Sequence, residues 1–146
     1  MENKLVIYCD MDGVLADFDK EINAVKRYEK EKGFFFNLEP IAENVNAIKQ
    51  LIKNGYKIKI LSKSPHEQAD YEKRLWLAKH IPEIKMSEII FARPEQRKID
   101  FVAELERQFS LLLDDYSKNI QEWENEKGIA FKITKERTIP KWFVLQ

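Results

Sequence analysis

Hydrophobic residues follow two alternating patterns along this chain. Short apolar runs appear at "KLVIYC" (about 4–9), "YKIKIL" (about 56–61), "EIIFA" (about 88–92), "SLLLD" (about 110–114) and "IAFKI" (about 129–133). They are rich in β-branched and aromatic residues and short enough to be strands. Between them, apolar residues recur at helical spacing. Ile41, Val45, Ile48, Leu51 and Ile52 share one face and stop at Asn54-Gly55, a helix end. "SPHE" at 64–67 has the form of a capping box, with Ser64 as N-cap, Pro65 at N1 and Glu67 at N3. It predicts a helix carrying Leu75, Leu77, Ala78 and Ile81, closed before Pro82. Ile99, Val102, Leu105 and Phe109 predict another helix, and Ile120, Trp123 and Glu124 a last one before Gly128.

Alternating strands and helices predict an α/β fold, with a parallel sheet covered by helices on both faces. Ligands of such sheets bind outside the carboxyl ends of the strands. Asp10 ends the first run, Ser62 follows the second, and Asp114 and Asp115 end the fourth. These polar residues are expected along one sheet edge. No repeat or low-complexity linker divides the chain, so residues 1–146 are expected to form one domain.

Composition narrows the field by exclusion. Lys plus Arg and Asp plus Glu both number 25, so no overall charge draws the chain to nucleic acid or an acidic membrane. The longest apolar run falls short of the ~18 residues that span a bilayer, and the start has no signal-peptide core. The single cysteine, Cys9, excludes an intrachain disulfide and fits a reducing, cytoplasmic setting.

Asp10 and Asp12 flank Met11 at the end of an apolar strand, just before Gly13. Acids gathered there with Asp114 or Asp115 need a compensating cation. An all-oxygen donor set suits a hard ion such as Mg²⁺, which also takes phosphate oxygens. A carboxylate can attack phosphorus as a nucleophile, and a second acid can protonate the departing oxygen. The phosphoryl oxygens then need donors, and Ser62 and Lys98 offer a hydroxyl and a point charge. Arg97 and Lys63 compete with Lys98 for that place. Gly13 lets the backbone approach a ligand, and Arg93 lies where it can reach a substrate phosphate. Three consecutive aromatics in "GFFF" (33–36) cannot all face one core, so one, taken as Phe35, is a candidate stacking or lid residue. The bland alternatives are helix capping for the acids, packing for Cys9, Trp76, Trp123 and Trp142, a solvated helix face for "KRYEKEKG", and docking of the apolar tail "TIPKWFVLQ".

"DMDGVLADF", "ILSKS", Lys98 and "LLLDD" resemble, in order, the four motifs of the haloacid dehalogenase (HAD) superfamily. Within it, "DMDGVLADF", "GFFFNLEPIAENVNAIKQL" and "LLLDDYSKNIQEWE" are most similar to the 5'(3')-deoxyribonucleotidase branch, the 5'-nucleotidases of type C. The resemblance implies a Rossmannoid three-layer α/β/α fold with a central five-stranded parallel sheet. It implies Asp10 as nucleophile and Mg²⁺ ligand, and Asp12 as general acid/base with its carbonyl on the metal. Ser62 and Lys98 would hold the phosphoryl group, and Asp114 or Asp115, with Asp114 preferred, would complete the metal site. An acid at Asp12 implies phosphate-ester hydrolysis rather than dehalogenation. The insert that would form the cap is short, at about 17–37, which implies an open site. A nucleotide-like substrate ranks first, then a nucleic-acid 3'-end or other macromolecular phosphoester, then a catalytically silent binding domain. The oligomeric state is not legible.

Overall fold

The computed structural model describes residues 5–140. Lys4, Trp142 and the end of the tail lie outside the described residues. Five strands, β1 (Val6–Cys9), β2 (Lys57–Lys63), β3 (Ile89–Ala92), β4 (Ser110–Asp114) and β5 (Ile129–Lys132), form one sheet in the order β3-β2-β1-β4-β5. Every pairing is parallel. The register sets Cys9 beside both Ile60 and Leu113, so Asp10, Ser62 and Asp114 emerge at the same edge. β1 and β4 are buried almost throughout, as strands covered on both faces must be. The α/β fold with a five-stranded parallel sheet is therefore the observed one.

Four helices accompany the sheet: α1 (Ala24–Arg27), α2 (Ala42–Lys53), α3 (Glu67–His80) and α4 (Ser117–Asn125). α2 buries Val45, Ile48 and Leu51 as its periodicity predicts and stops at Asn54, with Gly55 at φ 91°. Asn44 ties this helix into the core. Its amide donates to the Val14 carbonyl at 2.8 Å, and its Oδ1 accepts from the Ile139 amide at 2.9 Å.

Four local expectations need correction. The α3 cap is His66 rather than Ser64. The helix starts at Glu67, and His66 Nδ1 accepts from the Ala69 amide at 3.1 Å. The buried face of α3 is Ala69, Asp70, Glu72, Lys73, Trp76 and Leu77, while Leu75 is 40% exposed. Charged residues occupy part of the inward face, so hydrophobic spacing could not locate it. The helix expected over Ile99–Phe109 is instead two 3₁₀ turns, Lys98–Phe101 and Glu104–Phe109. Between them Val102 is extended, and Ile99 and Val102 are buried while Leu105 is 86% exposed. A break there lets Lys98 turn inward, and the Arg107 guanidinium then bonds the Val102 carbonyl at 3.1 Å. Likewise "KRYEKEKG" is helical only to Arg27 and continues as turns, with Arg27 paired to Glu21 and Glu31.

The segment between β1 and α2 folds back over the sheet edge. Gly13, Ala16 and Asp17 make a tight loop whose amides and carbonyls bond within the loop and to Glu39. Phe18, Tyr28, Phe34 and Phe35 then meet edge to face, with ring centroids 5.2–6.3 Å apart. The Trp76 indole N–H donates to the Leu38 carbonyl at 2.8 Å, joining this segment to α3.

Trp76 is fully buried. Trp76→Ala is expected to lower unfolding stability by about 3–5 kcal/mol in urea titration, whereas Leu75→Ala stays within about 0.5 kcal/mol.

Candidate active site

Asp10 leaves β1 with its amide bonded to the Leu113 carbonyl at 2.9 Å, so its backbone continues the sheet by one residue. This holds its carboxylate at the sheet edge, nearly buried. Lys98 Nζ approaches from the first 3₁₀ turn to 2.9 Å from Asp10 Oδ1 and 2.6 Å from Asp114 Oδ2. Burial opposes the charge on Lys98, but the two carboxylates outweigh it and raise the ammonium's pKa, so the residue is a fixed cation.

Asp114 and Asp115 have separate surroundings. Asp114 is fully buried and heavily bonded. Its Oδ1 accepts from the Tyr116 amide at 2.9 Å, and its Oδ2 accepts from Asn119 at 3.2 Å as well as from Lys98. It therefore also ties Tyr116 and Asn119 at the start of α4, although the N-cap position of that helix is Tyr116 and no side chain caps it. Asp115 is half-buried and faces Gly13 and Asp10. Burial, with the negative charge of Asp10 and Asp114, pushes its carboxyl up to about 8. Gly13 sits at φ 83°, which other residues rarely adopt, and a Cβ there would displace the Asp115 carboxylate.

Oxygens of Asp10, Asp114 and Asp115 all come within 4.8 Å of one another. Three carboxylates face one ammonium there, and burial together with the charges of Asp10 and Asp114 raises the Asp115 carboxyl. Oxygen donors with excess negative charge fit a hard divalent cation.

On the other flank stands Asp12. Its Oδ2 accepts from Lys73 Nζ at 2.9 Å, and its Oδ1 is buried with no partner among the described residues. Lys73 also donates to Ser62 Oγ at 3.0 Å and to the Lys63 carbonyl at 2.8 Å. Asp12, Lys63, Phe18, Tyr28, Phe35 and Pro94 help line a cavity of about 230 Å³. A larger groove of about 670 Å³ opens on the opposite side, past Gly13 and Asp115 to Lys132 and Thr138.

The structure thus brings together Asp10, Asp12, Gly13, Ser62, Lys98, Asp114 and Asp115, with Lys63 and Phe35 at the cavity. Arg93 is placed differently. Its guanidinium forks onto Asp70 at 2.9 and 2.8 Å and donates to the Ser64 carbonyl at 3.1 Å. That fork holds the Asp70 carboxyl below its usual range although burial works the other way. Lys73 is the site residue that sequence reasoning missed, because a lysine within a charged helical stretch reads as a surface residue.

Residues 20–142 match the family model described as "5' nucleotidase, deoxy (Pyrimidine), cytosolic type C protein". The chain belongs to this family. It is accordingly a nucleotidase-type phosphatase of the HAD superfamily. It is 26% identical over 128 residues to the "Putative 5'(3')-deoxyribonucleotidase" of Vibrio phage KVP40, covering 80% of this chain and 69% of that protein. The fold is shared with a HAD-family enzyme of Bacteroides thetaiotaomicron solved with magnesium and inorganic phosphate, at TM-score 0.64 and 13% identity, covering 95% of this chain and 98% of that one. It is also shared with a chain of the Pnkp1/Rnl/Hen1 RNA repair complex, at TM-score 0.65 and 18% identity, covering 92% and 44%. Among the described residues of this nucleotidase-family chain, no helix is long and apolar enough to cross a membrane.

The raised Asp115 carboxyl has a consequence for stability. Between its unfolded pKa of about 4 and its folded value, the native state binds the extra proton, so stability falls as pH rises. Metal-free protein is expected to melt at a lower temperature at pH 8 than at pH 5, and Asp115→Asn to flatten that decline. Mg²⁺ is expected to raise the melting temperature more at pH 8 than at pH 5, read by thermal denaturation across pH.

Proposed function

We propose that this family member is a Mg²⁺-dependent phosphomonoester hydrolase that works through a phospho-aspartate at Asp10 and prefers a nucleotide-like substrate. The observation that carries the reading is the pairing of Asp10 with buried Lys98, beside an Asp12 that opens onto an aromatic-walled cavity. Asp10 would attack phosphorus as the bond from phosphorus to the leaving oxygen breaks. Asp12 would give its proton to that oxygen, then take one from the water that attacks the phospho-aspartate. The Ser62 hydroxyl and Lys98 would donate to the phosphoryl oxygens.

Asp10 and Asp115, with the Asp12 backbone carbonyl, would hold Mg²⁺, which when bound neutralises the acids and lets a phosphate approach. This favours Asp115 over Asp114, because the Asp114 oxygens are already bonded by Lys98, Asn119 and the Tyr116 amide. Arg93 is assigned to holding the loop after β3, through Asp70, rather than to substrate.

Residues 1–146 are read as one domain, with 17–37 as a short cap whose Phe18, Tyr28 and Phe35 form the wall for a base or sugar. A cytoplasmic, reducing setting goes with one buried, unpaired cysteine, Cys9. A cavity of about 230 Å³ is below the usual size for a whole ligand. That favours a second reading, in which the substrate is a nucleic-acid 3'-end whose chain continues outside the cavity.

Phosphate release from a deoxymononucleotide and from a 3'-phosphorylated oligonucleotide separates the two readings, with faster release from the mononucleotide expected. EDTA is expected to abolish turnover, and excess Mg²⁺ to restore it. Asp10→Asn is expected to reduce turnover at least about 10³-fold. Unchanged activity in that variant would overturn the phospho-aspartate mechanism.

A further inference from the structure

We infer that Lys73 is a positioning residue for phosphoryl transfer, setting the Asp12 carboxylate and the Ser62 hydroxyl together from α3. The inference rests on the reading of Asp12 as general acid and Ser62 as phosphoryl donor.

An ammonium group has three donors and no acceptor. All three are engaged: Asp12 Oδ2 at 2.9 Å, Ser62 Oγ at 3.0 Å and the Lys63 carbonyl at 2.8 Å. The Lys73 side chain is 0% exposed, and the Phe35 ring lies 4.7 Å from Nζ. With its donors engaged and its head covered, Lys73 does not serve as a direct phosphate clamp in this arrangement. It acts through the two residues that it holds.

For Asp12, the two carboxylate oxygens become inequivalent. Oδ2 is tied to Lys73, and Oδ1 is buried with no partner among the described residues. Asp12 lines the aromatic cavity, and 22% of its side chain is exposed. The carboxyl group is thus held in one orientation at the cavity. As the Asp10 oxygen bonds to phosphorus and the bond to the leaving oxygen breaks, the Asp12 proton passes to that oxygen, leaving Asp12 as a carboxylate paired with Lys73. For Ser62, the lone pair facing Lys73 is occupied, so its O–H points elsewhere. Its contact in this structure is a long one, 3.4 Å to the Lys63 carbonyl. That weak bond is easily exchanged for a phosphoryl oxygen.

A buried lysine also contributes to folding, so the test needs a readout that packing alone does not move. kcat/KM is measured in Mg²⁺ for wild type and Lys73→Met over phosphate monoesters from 4-nitrophenyl phosphate to an alkyl phosphate. Loss of a positioned acid is expected to lower kcat/KM about 100-fold for the alkyl ester and only about fivefold for the nitrophenyl ester, whose leaving group needs no proton. In an Asp12→Asn background, Lys73→Met is expected to add only about the fivefold loss seen with the nitrophenyl ester, because the contact to Ser62 is still removed while the contribution through Asp12 is already gone. A loss uniform across leaving groups, or full additivity with Asp12→Asn, overturns the inference. If Lys73→Met does not fold, the ¹⁵Nζ resonance of Lys73 serves instead. It is expected to exchange slowly with solvent and to shift in Asp12→Asn, and the absence of that shift overturns the inference. Asp10→Asn separates the two levels. Retained turnover there defeats the phospho-aspartate reading whatever Lys73 does, whereas lost turnover with a uniform Lys73→Met effect defeats only the role of Lys73.

Discussion

A buried ammonium between carboxylates governs this molecule. Lys98 lies 2.9 Å from Asp10 and 2.6 Å from Asp114, and almost nothing of the three side chains reaches solvent. Desolvating such charges is expensive, and removing one partner leaves another stranded, which is commonly worth several kcal/mol. The cluster is tolerable only if its geometry is held closely. β1 and β4 pair in parallel register so that Asp10 and Asp114 leave the sheet side by side. The chain before β4 gives up a continuous helix so that Lys98 can reach them. The same arrangement leaves Asp115 in excess negative potential, suited to a divalent cation.

α3 carries a second set of buried charges, each tied to a different part of the fold. Asp70 receives Arg93 from the loop after β3. Glu72 accepts from the Phe35 amide at 3.1 Å, holding the segment that precedes α2. Lys73 reaches the site itself. Three neighbouring side chains thus couple the aromatic segment, the β3 loop and Asp12 to one rigid helix. Sites supported in this way hold their geometry better than sites carried on loops alone.

The aromatic segment over the sheet edge is also firmly built. Phe34 and Phe35 are buried, their rings interlock with Phe18 and Tyr28, and Trp76 bonds to the backbone behind them. Such a wall can shape a small ring-bearing group but leaves the rest of a ligand uncovered. The open groove past Gly13 and Asp115 has a separate lining, so the wall and the groove are distinct openings beside the buried acid cluster.

The strands and most of the acid cluster were legible in the sequence. Buried parallel strands are nearly continuous apolar runs, and acids at their carboxyl ends stand out against that background. Gly13 was equally readable, because a glycine after two acids at a strand end marks a tight turn. Lys73 and the true face of α3 were not. Their burial is decided by partners 10 to 61 residues distant, Lys63, Ser62 and Asp12, and no local periodicity carries that information. The same holds for Arg93, whose guanidinium is engaged by Asp70 on another element, and for the broken helix after Lys98, where reaching a buried ion pair outweighs helical spacing. By itself the sequence determined the sheet, the edge where chemistry can occur and the kind of atoms gathered there. Tertiary structure alone decided which charges face one another, because the free energy of a buried charge depends on partners that only folding brings within reach.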